Sequence, residues 1–311
     1  MFFKIVQIFI IILFFSLPNK TKSQNTELSS EFHKQRRAEL RKKLPNNSVA
    51  VLFSSPIRNR ANDVDYEYHP DPNFYYLTGW NEPHSVLLIY SNPQKDEKGT
   101  YHEKLYVRER DVRNEMWNGK RLGVEGALTM KYDRVVLKEY FLKDQHNFNK
   151  FDNVLIIDFK NDVRDGSDPS DLYDLQKHFK KKINYPDNFN ALKYRLYKQI
   201  IKAKTDEIPK IKKMIEYYSQ KDSLLTEDPL IKDFISNSTE KDVLIDLKTK
   251  SAFLIRNFNF DIDLLNYYMA SLREIKTKDE LILLKKAIQI SAQGQKEVMK
   301  AIKPEMSERE V

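Results

Sequence analysis

Residue patterns that support catalysis by themselves are scarce in this 311-residue chain. It contains no cysteine, which excludes thiolate nucleophiles, disulfides and lipid attachment through an N-terminal cysteine. Only seven glycines are present, and G-x-G-x-x-G, G-x-x-x-x-G-K-[ST] and G-x-S-x-G are all missing. The six histidines precede Thr277 and show neither H-x-x-x-H nor H-E-x-x-H spacing. The sequence therefore predicts no catalytic metal site within this chain.

Short runs rich in β-branched and aromatic residues predict the strands of a sheet. Two of these runs, VLLIY and VLIIDF, are apolar on both faces, as the centre of a helix-covered sheet requires. Tyr75, Tyr76 and Trp80 are interpreted as structural strand aromatics, and His84 as a surface histidine. The predicted strands cover residues 48–53, 73–80, 85–90, 104–110 and 153–159.

Helical patterns lie between these runs. Residues 29–44 predict a surface helix with Phe32, Leu40 and Leu44 as a thin apolar stripe. Further helices are predicted after Trp117 and over residues 168–182, where Pro169 suits a first helical position. The resulting fold class is α/β, with a mixed β-sheet flanked by helices.

The N-terminus predicts export. Residues 1–23 place Lys4 before an apolar run at 5–17 and end at Ser23, a pattern typical of a secretory signal peptide that leaves Gln24 first. The run is shorter than the roughly 20 residues that cross a bilayer as a helix, so no stable span is expected after cleavage. An uncleaved anchor is the alternative. The mature protein is expected to be periplasmic or secreted.

The net charge of +8 and pI of about 9.2 do not predict a nucleic-acid partner. Lysines alternate with acidic residues along the helical segments, and no basic cluster with stacking aromatics is present. Solvated helix faces are the favoured interpretation.

The C-terminal half changes character. Residues 188–270 are rich in Lys, Ile and Leu and predict a helical insertion or connector. Thr277 and Glu280 predict a capping box, followed by an amphipathic helix with an apolar face. The pair Ser307 and Glu310 repeats the capping pattern just before the last residue. This predicts the front part of a longer protein, cut inside its next domain. The face consists of Leu281, Leu284, Ile288, Val298 and Ile302.

Two ordered motifs carry a resemblance to a known family. RANDVDYEYHPDPNFYYLTGWNEPHSVLLIY at 60–90 and RERDVRNEMWNGKRLGVEGA at 108–127 resemble the N-terminal domain of the Xaa-Pro aminopeptidases, the aminopeptidase P family. The similarity covers roughly residues 29–160. It resumes at LREIKTKDELILLKKAIQISAQG, 272–294, which looks like the lead-in to the family's pita-bread catalytic domain.

The resemblance implies four segments. These are a signal peptide at 1–23, an α/β domain of the creatinase/aminopeptidase P N-terminal type at 24–187, a helical insertion at 188–270, and the incomplete start of a pita-bread domain at 271–311. Family members hold two divalent metal ions, usually manganese, with two Asp, one His and two Glu of the pita-bread domain. No metal is therefore expected to bind this chain.

Asp63 and Trp117 are the substrate-binding residues that the resemblance implies. Asp63 matches an acidic residue that helps to define the substrate end of a neighbouring subunit's active site, and a carboxylate suits a peptide's ammonium group. Its alternative role is an Asx turn or helix cap. Trp117 matches a wall that limits the peptide beyond the scissile bond, and its alternative is ordinary core packing.

The leading hypothesis is that the complete protein is an exported Xaa-Pro aminopeptidase acting on proline-containing peptides, as a homo-oligomer (dimer or tetramer). This chain would be inactive alone and would serve substrate recognition and oligomerisation. Prolidase, which accepts only dipeptides, is the nearest alternative. A non-catalytic binding or assembly module and an exported polyanion-binding protein are the alternatives from other functional classes.

Overall fold

The computed structural model describes residues 27–144, 146–159, 170–220, 222, 225, 227–238 and 241–310. The predicted signal peptide at 1–23 lies outside these residues. Ser29–Ile275 forms one compact unit, and the chain from Lys276 onward belongs to a second one. The strands are β1 (Ser48–Phe53), β2 (Asn59–Ala61), β3 (Val64–Asp65), β4 (Val86–Asp96), β5 (Gly99–Val107), β6 (Arg134–Leu137), β7 (Asn153–Ile156) and β8 (Phe260–Asp261). The helices are α1 (Ser30–Lys43), α2 (Pro72–Thr78), α3 (Val112–Asn118), α4 (Gly123–Leu128), α5 (Lys138–Lys143), α6 (Leu172–Lys182), α7 (Ala191–Lys202), α8 (Ile208–Ser219), α9 (Pro229–Asn237), α10 (Lys241–Ile255), α11 (Leu264–Glu274) and α12 (Lys278–Ala301).

A six-stranded sheet forms the centre of the Ser29–Ile275 unit, in the order β6-β5-β4-β1-β7-β8. The pairs β1–β4 and β4–β5 are antiparallel, whereas β1–β7, β5–β6 and β7–β8 are parallel. Val49, Ala50, Val51 and Leu52 of β1 are all almost fully buried, as expected for a central strand covered on both faces. The predicted fold class, a mixed sheet flanked by helices, is confirmed. Four of the five predicted strands are also present: β1 has the predicted bounds, and β4, β5 and β7 differ from theirs at one or both ends.

The strand predicted over residues 73–80 is wrong, because this segment forms helix α2. Asp71 caps the helix: its Oδ1 accepts hydrogen bonds from the backbone N–H of Asn73 at 3.0 Å and of Phe74 at 2.8 Å. Pro72 occupies the first turn, where a missing N–H does no harm. These start signals outweigh the β propensity of the aromatic residues that follow.

Helix α2 ends at Gly79, whose φ of 65° is left-handed. A Cβ here would lie only 2.6 Å from Cδ2 of His33 on α1, so backbone and packing both require glycine. His33 in turn donates from Nδ1 to the carbonyl oxygen of Tyr76 at 2.9 Å. The end of α2 is thereby fixed against α1.

The aromatic residues of this segment have structural roles, although they are not in a strand. Tyr76 and Trp80 are buried, and Tyr75 is half-buried. The Tyr76 hydroxyl donates to the carbonyl oxygen of Leu272 at 3.2 Å, and Trp80 Nε1 donates to Ser85 Oγ at 3.0 Å. Both polar ends of the buried rings are therefore satisfied.

Helix α1 matches its prediction at 29–44 closely. Ser29 caps it by accepting from the N–H of Phe32 at 3.2 Å, and the apolar stripe of Phe32, Leu40 and Leu44 is buried. The same helix also buries Arg37 completely. The prediction of a simple surface helix missed this residue.

Arg37 uses its whole guanidinium group inside the fold. Its Nε donates to Oε1 of Glu103 on β5 at 2.8 Å, and its Nη1 donates to the carbonyl oxygen of Leu77 on α2 at 3.0 Å. Its Nη2 donates to the carbonyl oxygen of Lys131 at 2.9 Å, and the group lies 4.1 Å from the ring centre of Tyr132. One side chain thus joins α1, α2, β5 and the segment before β6.

A second polar cluster lies at the end of α5. The Tyr106 hydroxyl donates to Oδ2 of Asp144 at 2.9 Å, and its oxygen lies 2.8 Å from Nε2 of His146. The pKa of His146 is lowered to about 4, mainly by burial; Asp144 opposes the change, and Lys104 adds to it. His146 is therefore neutral at pH 7, with its proton on Nε2 facing Tyr106.

The helix predicted over 168–182 is present as α6, which begins at Leu172. Asp171 caps it by accepting from the N–H of Asp174 at 3.1 Å. Pro169, expected at the first helical position, lies outside the described residues. The helix predicted after Trp117 is present as α4.

The predicted helical region at 188–270 contains α7, α8, α9 and α10, which pack around their own group of buried apolar residues. The same region also supplies β8, which pairs with β7 at Val154 and Phe260. Tyr194 on α7 strengthens this connection, because its hydroxyl donates to the carbonyl oxygen of Phe260 at 3.0 Å. The domain boundaries at 187/188 and 270/271 remain predictions.

The chain from Lys276 onward contains α12. Its predicted capping box is confirmed: Thr277 Oγ1 accepts from the N–H of Glu280 at 3.3 Å, and Glu280 Oε2 accepts from the N–H of Thr277 at 2.9 Å. The predicted apolar face is at least two-fifths exposed at Leu281, Leu284 and Ile288. In the described parts of the chain, no helix combines the length and apolar character needed to cross a membrane.

We predict that Arg37→Met lowers the free energy of unfolding by about 3–5 kcal/mol, because Glu103 and two carbonyl groups are left buried without a donor. Guanidinium denaturation would measure the loss. Lys42→Met serves as the matched control, since the Lys42–Glu39 pair is largely exposed and should change stability little. Equal losses in the two variants would contradict a central role for Arg37.

We also predict that the fold loses stability as the pH falls from about 6.5 toward 4. The unfolded chain binds a proton at His146 near its ordinary pKa of 6.5, whereas the folded chain resists protonation until about pH 4. The difference amounts to roughly 3 kcal/mol at pH 4 and below. His146→Gln should flatten the pH dependence of the unfolding midpoint over this window. His69→Gln, at an exposed position, should leave it as in the parent.

Candidate functional site

The sequence motifs meet at Glu82, which is only 7% exposed. Its Oε1 accepts a hydrogen bond from the backbone N–H of Leu122 at 2.6 Å. Its Oε2 lies 3.7 Å from Nη2 of Arg108. Glu82 belongs to the N-E-P run at 81–83. Arg108 begins the R-x-R-D motif at 108–111, and Leu122 belongs to the W-x-G-x-R-L-G motif at 117–123. One carboxylate therefore holds together three motif segments that are distant in sequence.

Helix α3 projects from this junction and begins with its own cap. Asp111 Oδ1 accepts from the backbone N–H of Arg113 at 3.0 Å and of Asn114 at 3.3 Å. Arg110 forms two hydrogen bonds with Glu115, both at 3.0 Å, and these bonds lower the pKa of the Glu115 carboxyl group. Arg110 and Asp111 thus fix the start and the direction of α3.

Trp117 lies on α3, and its side chain is 86% exposed. Val112 and Met116 on the same helix are also exposed. We call these three residues the α3 apolar surface. Core packing within this chain, the alternative role for Trp117, is contradicted by this exposure. A large rigid aromatic group without cover suits contact with a ligand or another protein surface.

Asp63 lies in the turn of the short β2–β3 hairpin, after Asn62 with its left-handed φ of 51°. Its side chain is exposed. The hydrogen bonds within this turn are donated by Asn59 Nδ2, to the carbonyl oxygens of Asn62 and Val64 and to Asp65 Oδ1. Among the described residues, none is accepted by the Asp63 carboxylate, so the Asx-turn or capping role has no support here. The carboxylate faces solvent with its charge available.

The structure places Asp63 and Trp117 on separate elements. Asp63 lies between β2 and β3, and Trp117 lies on α3, which follows β5. No hydrogen bond or ion pair joins the two within the described residues. Each is exposed and positioned by its own local contacts.

The residues present do not fit a two-metal hydrolytic site. In the described chain, no three His, Asp or Glu side chains come together as metal ligands. Such a site requires carboxylates that converge on ions about 3.5–4 Å apart. The carboxylates of Glu82, Asp111 and Glu115 instead accept hydrogen bonds or pair with arginine.

Sequence reasoning missed two residues here. Glu82 was visible only as part of the N-E-P run, and nothing in its spacing to Leu122 predicts their contact. His84, expected at the surface, is half-buried, and its Nδ1 accepts from the backbone N–H of Leu172 at 2.9 Å. His84 is therefore only partly exposed, because it contacts the start of α6.

Comparisons with known proteins match this part of the chain. Residues 33–136 match the family described as "Aminopeptidase P, N-terminal domain". The chain is similar to "Intermediate cleaving peptidase 55" of Schizosaccharomyces pombe, with 38% identity over 31% of this chain and 19% of the relative. It is also similar to "Xaa-Pro aminopeptidase" of Haemophilus influenzae, with 38% identity over 32% of this chain and 22% of the relative. The protein of the same name from Escherichia coli shows 34% identity over 33% of this chain and 22% of the relative. The matches span about a fifth of the length of these relatives.

Parts of the chain are also similar to solved structures of aminopeptidases, with TM-scores below 0.5. Aminopeptidase P from E. coli with the inhibitor Pro-Leu is 28% identical over 43% of this chain and 30% of that chain, with a TM-score of 0.39. Aminopeptidase PepP of Pseudomonas aeruginosa is 24% identical over 51% of this chain and 33% of that chain, with a TM-score of 0.40.

We predict that Glu82→Ala loosens the segment that carries Trp117. Without the carboxylate, the N–H of Leu122 loses this acceptor and the ion pair between Glu82 and Arg108 is lost. Hydrogen exchange at the Leu122 amide should become about tenfold faster or more, since losing a bond to a charged group costs more than a factor of ten. Glu97→Ala, at an exposed position, is the control and should leave this exchange unchanged. Unchanged exchange in Glu82→Ala would show that other contacts hold the segment.

Proposed function

This chain carries an aminopeptidase P N-terminal region, and from that premise we propose that the full-length protein is an exported Xaa-Pro aminopeptidase. Such an enzyme removes the first residue of a peptide whose second residue is proline. The observation that carries the proposal is the junction at Glu82, where the motifs shared with the family form one built unit. Two relatives to which the chain is similar are named Xaa-Pro aminopeptidase.

Within the proposed enzyme, this chain supplies recognition surfaces. The solvent-facing carboxylate of Asp63 offers a charge partner for the ammonium group of a peptide. The α3 apolar surface offers Trp117 as a rigid wall for the peptide beyond the scissile bond. Both groups are exposed here, which suits a role beside an active site outside the described residues.

The hydrolytic centre belongs, in this proposal, to the rest of the full-length protein. Bound divalent metal ions, manganese in the expectation from the family, would activate the attacking water there. The described residues offer no ligand group for such ions. The 311-residue chain is therefore proposed to be inactive alone and to act through assembly into a homo-oligomer.

Export is a separate part of the proposal and rests on the pattern of residues 1–23. It places the mature protein in the periplasm or outside the cell. N-terminal sequencing of the protein from its native cells tests it: a start at Gln24 supports cleavage, and an intact Met1 contradicts it.

We predict that the full-length protein releases the first residue from an Xaa-Pro-Xaa tripeptide, and that the 311-residue chain does not, with or without added manganese. In the full-length protein, Trp117→Ala and Asp63→Asn should each lower kcat/KM for the tripeptide about tenfold or more, because each removes one substrate contact. Amino-acid release measured by mass spectrometry gives the rates.

Matched controls are available for both substitutions. Tyr267→Ala removes another exposed aromatic ring, and Asp152→Asn another exposed carboxylate; both should keep the parent rate. Hydrolysis of Xaa-Pro dipeptides alone would identify a prolidase instead. Activity in the 311-residue chain would contradict the proposed division, and an inactive full-length protein would support a non-catalytic module.

A further inference from the structure

Helix α3 carries a positive charge beside its apolar surface. Arg113 is exposed and lies four positions before Trp117, so the two side chains leave the same side of the helix about one turn apart. Met116, three positions after Arg113, lies on that side as well. The exposed tryptophan therefore has a guanidinium group as its neighbour along the helix.

The acidic groups closest in sequence to Arg113 are bound to other partners. Both carboxylate oxygens of Glu115 accept hydrogen bonds from Arg110, and at two positions from Arg113 its side chain faces another side of the helix. Asp111 uses Oδ1 for the backbone cap of α3 and Oδ2 to accept from Asn114 Nδ2 at 2.7 Å. Neither carboxylate is bonded to the Arg113 guanidinium group.

Arg113 therefore keeps an uncompensated charge. Among the described residues, no hydrogen bond or ion pair reaches its guanidinium group, and the exposed Glu109, which precedes the cap, forms no ion pair with it. Lys120, exposed just after α3, adds a second positive charge to this surface. A guanidinium group with open N–H groups is a strong donor for a carboxylate, which it can bind through two parallel hydrogen bonds.

The backbone that carries Arg113 is fixed by contacts within this chain. The Arg113 N–H donates to Asp111 Oδ1 at 3.0 Å, in the first turn of α3. Glu82 holds the chain on both sides of the helix, at Arg108 before it and at Leu122 after it. The positions of the cation and the ring relative to each other are thus set before a ligand binds, which lowers the entropic cost of binding.

We propose that Arg113 selects peptides that carry a carboxylate beyond the proline. The inference rests on the proposed peptidase function, in which Trp117 forms a wall for the peptide beyond the scissile bond. Because the two side chains are one helical turn apart, a group next to the ring is within reach of the arginine. The carboxylate can belong to an acidic side chain at the third residue or to the C-terminus of a tripeptide.

Cleavage of four matched tripeptides by the full-length protein tests the proposal. Ala-Pro-Glu-amide, Ala-Pro-Gln-amide, Ala-Pro-Lys-amide and Ala-Pro-Gln with a free C-terminus differ in their charge beyond the proline. At low ionic strength, a carboxylate should raise kcat/KM about three- to fivefold over Ala-Pro-Gln-amide, mainly through KM, and added salt should reduce the gain. A gain with Ala-Pro-Glu-amide identifies the side chain as the partner, and a gain with free Ala-Pro-Gln identifies the C-terminus.

Substitutions assign the preference to Arg113. Arg113→Gln should remove the preference for a carboxylate, and Arg113→Glu should reverse it, so that Ala-Pro-Lys-amide is cleaved faster than Ala-Pro-Glu-amide. Arg256→Gln changes another exposed arginine, outside α3, and should keep the preference of the parent. A parent-like preference in a folded Arg113→Glu variant would overturn the proposal.

The peptide series separates failure of this inference from failure of the proposed function. If the full-length protein cleaves none of the four peptides, the proposed function fails, and the inference fails with it. If it cleaves all four with equal kcat/KM, the peptidase function stands and only the role of Arg113 is overturned.

Discussion

The buried guanidinium of Arg37 is the interaction on which the arrangement of the N-terminal elements depends. Removing a charged group from water is costly unless it gains partners, and each of the three guanidinium nitrogens of Arg37 donates to one, a carboxylate or a carbonyl oxygen, while the group also lies against an aromatic ring. These partners belong to different elements, so each of them is restricted in position by one rigid fork. Apolar contacts alone would permit small shifts of α1 relative to β5 and α2, whereas the hydrogen bonds of Arg37 fix their relative positions.

The contacts of Glu82 also depend on a nearly buried charged group, here a carboxylate instead of a guanidinium. A nearly buried carboxylate fixes a backbone amide and lies close to an arginine, and the polar interactions at the start of α3 continue outward from there. Rigidity is thereby transmitted from the sheet to an exposed tryptophan. An exposed aromatic side chain on a rigid support binds with less loss of conformational entropy than one on a loose loop.

Much of the architecture could be predicted from the sequence because it depends on local patterns. The apolar runs at 48–53 and 85–90, the stripe on α1 and the capping box at Thr277 all encode their structure within a few residues. The segment 73–80 carries the helix signals Asp71, Pro72 and Gly79, but its aromatic residues favour a strand. The strand prediction gave too much weight to these aromatic residues. Arg37, Glu82 and Gln176 could not be predicted. The partners of Arg37 and Glu82 lie 26 or more positions away, Gln176 Oε1 has none among the described residues, and no periodic pattern reports such contacts.

The outer strand β8 has a consequence for the order in which the protein folds. Strand β7 pairs with β1 on one side, and among the described residues its other edge pairs with β8, whose Phe260 and Asp261 come more than a hundred residues later in the chain. On a ribosome that adds 5–20 residues per second, roughly 5–20 seconds separate the synthesis of these two strands. During that interval β7 presents unpaired backbone N–H and C=O groups, which can template pairing with another nascent chain. The helical region between them therefore sets how long the growing sheet stays open to misassembly.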